Sequence, residues 1–414
     1  MSQPVALPLA HPRPADESAD AGRWRVLVLL SVVEVLALSV WFSASAVIPA
    51  LESQWGISNG DASWLTSAVQ FGFVVGALFS AFLNLADRVS VHVLIAVSAV
   101  GAAASNALVA LLAHGLTVAL PLRVATGFFL AGVYPVGMKL LASWFRRGRG
   151  LAIGVMVGAL SVGTAFPHLL NGLTDLDWRL VLALASGLGV LAAVLVLVLR
   201  EGPYAAPSPP LEPGYIVRVF RDRPLRLANF GYFGHMWELY AVWAWLPAFL
   251  AASIGGGRAN AFESFAVIGI AGFAGCVLGG LVGDRLGRTT ITIAAMAVSG
   301  ACSLLSAAVF GGPKVVVLAF AAVWGISVIA DSAQFSAAVT ELADRSYVGT
   351  ALTVQTAFGF LLTIASIRLV PELVSWWGWR YALCVLAAGP ALGSLAMWLL
   401  RRDPASARLA GGAR

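Results

Sequence analysis

A chain of 414 residues that is 59% hydrophobic and only 11% charged cannot clothe a soluble surface, where roughly a quarter of residues carry charge. The net charge of +6 would suit a nucleic-acid partner if the basic residues clustered on one surface, but they fall in short segments between apolar runs, so none is expected. Cys276, Cys302 and Cys384 all sit inside such runs, which argues against a disulfide or a metal site.

Residues 1–22 carry Pro4, Pro8, Pro12 and Pro14 with several acids and no apolar h-region, and read as a disordered cytoplasmic tail rather than a cleaved signal peptide. Apolar stretches of about 20 residues then predict spans at 25–48, 63–85, 91–113, 116–138, 150–171 and 178–199. A Pro-rich, charged stretch at 200–226 reads as a cytoplasmic linker. A second set follows at 227–253, 262–283, 290–311, 313–336, 347–370 and 379–400, with a cytoplasmic tail at 401–414. The expected fold is an all-α membrane protein of twelve transmembrane helices in two six-helix bundles, 23–199 and 227–400.

Orientation comes from Lys and Arg, of which 20 of 26 lie in the terminal segments and the loops on their side, against Arg179, Arg258, Lys314 and Arg380 on the other. Both termini are therefore expected in the cytoplasm, in a multi-pass protein of the cell inner membrane. Three local matches suggest duplication: Asp87-Arg88 with Asp284-Arg285, Gly150-Leu151-Ala152 with Gly349-Thr350-Ala351, and Trp178-Arg179 with Trp379-Arg380, at offsets of 197, 199 and 201.

The stretch Gly280-Leu281-Val282-Gly283-Asp284-Arg285-Leu286-Gly287-Arg288 resembles the cytoplasmic loop signature of the major facilitator superfamily. Its first-half counterpart keeps Asp87 and Arg88 but has Leu83, Ser90 and Val91 where the pattern has Gly, Gly and Arg. Arg123 with Gly127 is similar to the family's intramembrane Arg followed four residues later by Gly, and Trp144 to Ala152 is similar to the loop before span five in anion-type branches. The wording around Ala131 to Pro135 and Gly158 to His168 resembles the nitrate- and cyanate-porter-like branch, although the nitrate pattern's Arg in spans two and eight is missing. Span five also lacks the Gly-Pro pair of drug and proton antiporters. The resemblance implies that spans one, four, seven and ten line a central cavity. It further implies that Asp87, Arg88, Asp284, Arg285 and Arg288 close the inner face when the outer face is open.

Charges near the bilayer midplane are costly, so intramembrane ionisable residues are functional candidates. Glu34 and Arg123 lie at similar depth on spans one and four and could meet, while Glu238 lies on span seven. Glu34 with Trp41, Arg123 with Tyr134, and His235 with Glu238 each fall on one helical face by spacing, near Tyr240. Such aromatic walls beside charges suit a small polar or anionic solute. Arg123 is expected to contact that solute or a carboxylate, and Glu34 or Glu238 to take up a coupling proton, because desolvation favours the neutral form of a carboxyl. A fixed Glu34–Arg123 pair holding spans one and four is the structural alternative. Gln334 and Asp331, towards the inner end of span ten, suit access or gating, and Arg368 with Glu372 a local pair.

No nucleophile with a base and no nucleotide-binding loop is present, so neither an enzyme, a cofactor nor an ATP-driven pump is expected. The sequence points to a monomeric secondary transporter of a small molecule, working by proton symport and alternating access. Proton-coupled efflux of drugs or metabolites is the transport alternative, and a membrane receptor or scaffold the non-transport one.

Overall fold

The computed structural model describes residues 15–145, 148–173, 177–205, 212–344 and 347–412, which are helical nearly throughout with no β-strand among them. Span one is Ala15–Leu38. Spans two to ten are Asn59–Leu83, Val91–Leu112, Leu116–Ala142, Arg149–Leu173, Trp178–Val196, Arg223–Ile254, Arg258–Leu286, Arg288–Val309 and Lys314–Leu342. The run Val348–Arg402 holds spans eleven and twelve, divided at Gly378, whose φ of 69° suits glycine. These are twelve spans in two bundles of six, as the hydropathy requires.

The segments between them are more ordered than expected. Span one begins at Ala15, inside the stretch read as a tail, because Pro14 is the last proline before Pro49 and nothing between them interrupts a helix until Leu38; residues 1–14 lie outside the described residues. Within the linker, Pro213–Arg221 is a helix, and span seven begins at Arg223 after Asp222 caps the Leu225 amide. The linker helix docks on span eleven: the Tyr215 ring stacks on Tyr347 at 4.4 Å, Glu212 N donates to Thr350 Oγ1, and Arg218 lies 3.2 Å from Asp344. Beyond Arg402, Pro404–Gly412 folds into 3₁₀-type turns that bury Ser406 and Leu409.

Both ends of the described chain lie on one face, here called the basic face, and the other is the far face. The duplication predicted from short motifs is visible in backbone geometry. A Cβ on Gly76 would lie 2.2 Å from the Phe128 carbonyl, and one on Gly279 1.9 Å from that of Ala330, so the second and fourth spans of each half touch backbone to backbone. Span four breaks between Leu116–Leu130 and Tyr134–Ala142, and span ten breaks at Asp331 between Lys314–Ala330 and Ser332–Leu342. Gly132 and Asp331 are 199 positions apart (331 − 132), the offset of the sequence repeat.

The halves meet along two seams, span two on span eleven and span five on span eight. Glycines close the second seam tightly: a Cβ on Gly154 would lie 2.6 Å from the Cys276 carbonyl, and one on Gly280 2.5 Å from that of Gly150. A π-type turn at Ala266–Ala271 interrupts span eight along this contact.

Candidate solute pathway

A cavity of about 830 Å³ opens on the basic face between spans two, four, five, ten and eleven. One wall presents the hydroxyls of Ser336, Thr340, Thr350, Thr353 and Thr356. Its charged residues are Asp87, Lys139, Arg149, Asp284, Arg288 and Glu341, three of each sign.

The cavity does not reach the far face, because rings from four spans close above it. Trp41 packs on Phe73, Phe360 and Tyr240 with centroids 5.0, 5.6 and 5.9 Å away, and Phe73 meets Phe360 at 4.6 Å. Nearer the far face, Arg368 of span eleven donates to the Gly60 carbonyl at 2.7 Å and to Ser63 Oγ at 3.1 Å, and its guanidinium lies 4.1 Å from the Trp64 ring. The expected local pairing of Arg368 with Glu372 gives way to this bridge onto span two.

Arg123 does not meet Glu34. Span one ends at Leu38 and turns through residues 39–44, which frees carbonyls that a continuous helix would satisfy. Arg123, fully buried, donates to Val40 O at 3.0 Å, to Leu65 O at 3.2 Å, to Asn106 Oδ1 at 2.9 Å, and to Trp41 O and Ser43 Oγ. Asn106 in turn donates to Leu182 O and Ser186 Oγ on span six. The guanidinium therefore ties the broken end of span one to spans two and three, and has no carboxylate among its partners. The helical stripes joining Glu34 to Trp41 and Arg123 to Tyr134 fail for one reason: both spans break between the paired positions.

Glu34 is fully buried, and neither carboxyl oxygen has a hydrogen-bond partner among the described residues. It packs between spans four and five, where a Cβ on Gly137 would lie 2.5 Å from Glu34 Oε1 and 2.8 Å from Met156 Cε. Tyr134 lies one turn before Gly137, the glycine that Glu34 packs against, on the helix Tyr134–Ala142.

In the second half, the shared face of His235 and Glu238 divides. Glu238 accepts from Ser303 Oγ at 2.6 Å and Trp324 Nε1 at 3.0 Å, which fixes span seven to spans nine and ten and removes it from the cavity wall expected of it. His235 Nδ1 lies 2.9 Å from Asp331 Oδ1 at the break in span ten, both groups 1% exposed. Gln334 donates to the Gly279 carbonyl and accepts from Arg288, which also binds Asp284 at 2.8 Å and Glu341 at 3.1 Å. In the first half Asp87 pairs with Lys139. Arg88 and Arg285 are exposed. The gating candidates thus bond within their own halves while this face is open, apart from Asp284, whose Oδ2 would lie 2.4 Å from a Cβ on Gly150 of span five. Asn106 and the docked terminal segment escaped sequence reasoning, and Arg368 was read only as a local partner of Glu372; a lone Asn in an apolar span was the available signal for the Arg123 knot.

The sequence profile of the Major Facilitator Superfamily matches residues 30–367. The chain belongs to this superfamily. Among curated members it is 24% identical over 298 residues to the MFS-type transporter pynF of Aspergillus niger, a match covering 69% of this chain and 66% of that protein, just under two thirds of its length. It is also 24% identical over 191 residues to the D-galactonate transporter of Escherichia coli, 45% of this chain and 44% of the other. Its fold is similar to that of the proton:xylose symporter XylE bound to 6-bromo-6-deoxy-D-glucose, with a TM-score of 0.74 at 14% identity over 92% of this chain and 96% of the other. A bacterial homologue of the human lysosomal transporter Spinster, inward-facing and unoccupied, gives 0.68 at 14% identity over 92% and 97%.

Proposed function

We propose that this superfamily member is a proton-coupled secondary active transporter that moves a small solute by alternating access, and that Glu34 carries the coupling proton. The observation that carries this is a fully buried carboxyl without a hydrogen-bond partner, packed against Gly137 and Met156 just behind the cavity-lining Val136, Met138 and Ile153. An unpaired carboxylate at this depth costs several kcal/mol, so Glu34 needs a proton or a cationic partner in each state of the cycle. Glu238 has two donors already and is a positioning residue for spans nine and ten. The basic face is taken as cytoplasmic, which puts both termini inside the cell inner membrane and makes the structure inward-open.

The expectation of a small polar or anionic solute drew on an Arg123 that faced it. With Arg123 committed to span one, exchange of solute for proton at Glu34 fits better. The nitrate- and cyanate-porter-like wording is not adopted for the substrate, since within spans two and eight Arg occurs only as Arg258 and Arg285, at the ends of span eight. A receptor or scaffold would leave the burial of an unpaired carboxyl without purpose.

Alkylation in proteoliposomes tests this, using a chain with Cys276, Cys302 and Cys384 replaced by Ala. A Cys at Thr353 reports on the basic cavity, and one at Ser67, a turn from Ser63 on the same helical face, reports beneath the far seal. Lowering the pH should change the two labelling rates in opposite directions, and Glu34→Gln should abolish the response. Rates that stay constant at both sites, or a response unaltered by Glu34→Gln, contradict the proposal.

A further inference from the structure

The two walls of the basic cavity differ in kind. Its six charged residues all lie within a turn of a span end, at the mouth. There Lys139 is held by Asp87, Arg288 by Asp284 and Glu341, and Arg149 is exposed. Inward of the mouth every lining side chain is uncharged, since Glu34, Arg123, His168, His235, Glu238 and Asp331 are buried outside the lining. Among the uncharged lining residues the first half presents two polar side chains, Ser80 and Asn84, beside apolar ones such as Ala77, Val136, Met138 and Ile153. The second half presents six, Gln334 and the hydroxyls of Ser336, Thr340, Thr350, Thr353 and Thr356, so the polarity is concentrated on spans ten and eleven.

The hydroxyls are arranged to meet a ligand. Ser336 with Thr340, and Thr353 with Thr356, share helical faces by spacing. Thr340 donates to the Ser336 carbonyl at 2.8 Å and Thr353 to the Gly349 carbonyl at 3.0 Å, which leaves both hydroxyl oxygens able to accept. The Ser336 and Thr356 hydroxyls donate to no group among the described residues, and are free to give or take a hydrogen bond. Ala77 and Thr356 each lie one turn from a ring of the far seal, Phe73 and Phe360, so the apex is apolar on span two and hydroxylated on span eleven.

We infer that the solute is an uncharged amphiphile that carries hydroxyl or carbonyl groups along one edge, presented to spans ten and eleven, and rests an apolar face on spans two, four and five. This rests on the transport proposal above and supplies its substrate class. A cavity of about 830 Å³ holds a drug-sized molecule. An ion that passed the mouth would surrender hydration with no lining charge to replace it. A molecule with hydroxyls on every side would turn some of them onto Val136, Met138 and Ile153, where nothing answers them. Glu34 does not line the cavity, so solute and proton do not compete for one carboxyl, and alternation of the two faces is what links them.

The test measures equilibrium binding to the full chain in lipid nanodiscs, with binding to empty nanodiscs subtracted. Phenyl β-D-glucoside and hydrocortisone serve as uncharged two-faced probes, D-xylose as an uncharged polyol without an apolar face, D-galactonate as an anion and tetraphenylphosphonium as an apolar cation. At least one two-faced probe is expected to bind, about tenfold or more tighter than each of the other three, with an affinity that does not change with ionic strength. Ser336→Ala combined with Thr356→Val should weaken it about tenfold. Ile153→Asn, which places an amide on the apolar wall, should also weaken it and narrow the gap to D-xylose. Failure of both two-faced probes to bind, a tighter D-xylose, D-galactonate or tetraphenylphosphonium, or an affinity untouched by loss of the two hydroxyls overturns the assignment. Should the double variant not fold, the wild-type ranking of the five probes decides alone. Loss of this assignment leaves the opposite labelling responses at Thr353 and Ser67 intact, whereas failure of the transport proposal removes those responses.

Discussion

The far face and the basic face are closed and opened by different kinds of contact. At the far face the bonds cross between halves: Arg368 reaches onto span two, and the rings of Trp41 and Phe73 from one half interlock with Tyr240 and Phe360 from the other. At the basic face Asp87 pairs with Lys139 and Arg288 with Asp284 and Glu341, each inside its own half. At the closed end a polar group, Arg368, finds its partners across the interface. The charged groups at the open end are satisfied locally, so opening does not strand them in a low-dielectric setting.

The largest test of this contrast is aimed at the foundation of the far seal. Arg123 holds the turn that presents Trp41, and Arg123→Ala would strand the carbonyls of Val40, Trp41 and Leu65 together with Asn106. A loss of about 3 kcal/mol or more is expected, seen as a lower apparent melting temperature in detergent, with Arg123→Lys recovering part of it. An unchanged melting temperature would mean that the turn does not depend on the guanidinium.

A smaller effect should follow Arg368→Ala, which removes two hydrogen bonds and a cation–π contact that exist only while the far face is closed. About 1–2 kcal/mol is expected, read as a roughly tenfold faster alkylation of a Cys at Ser67. The rate at Thr353 should fall in step.

The smallest change expected is truncation after Arg402. Arg408 donates to the Glu341 and Leu342 carbonyls at the end of span ten, and Ala410 N donates to Glu341 Oε2. These contacts lie within the second half, so their loss should cost about 1 kcal/mol in thermal stability while leaving the labelling ratio of the two faces unaltered. A shift in that ratio would show that the terminal segment takes part in gating.

Twelve spans in two halves were legible because lipid forces long apolar runs and duplication leaves matching motifs. What the sequence concealed lies at helix breaks. Seven-residue spacing put Glu34 and Trp41 on one face, yet Leu38 ends the helix between them, where Ser39, Ser43, Ser45 and Pro49 were the local sign. Periodicity holds only while the helix continues, so every pairing drawn across a break was lost. Arg123 and Glu34 stood out as expensive groups, but the partners Arg123 takes are carbonyls freed by a turn that hydropathy does not register. Arg368 was paired locally because span two, its actual partner, lies some 300 positions away (Ser63, 305 apart).

Spin-label distances provide the most direct check on the rocking of the two halves, with one pair at Ser80 and Thr353 across the basic cavity and another at Asn59 and Ser375 across the far seal. The account predicts two populations whose distances change in opposite senses, the basic pair shortening as the far pair lengthens when pH is varied or Arg368→Ala is introduced. A far pair that never lengthens while the basic pair shortens would contradict alternation between the two faces.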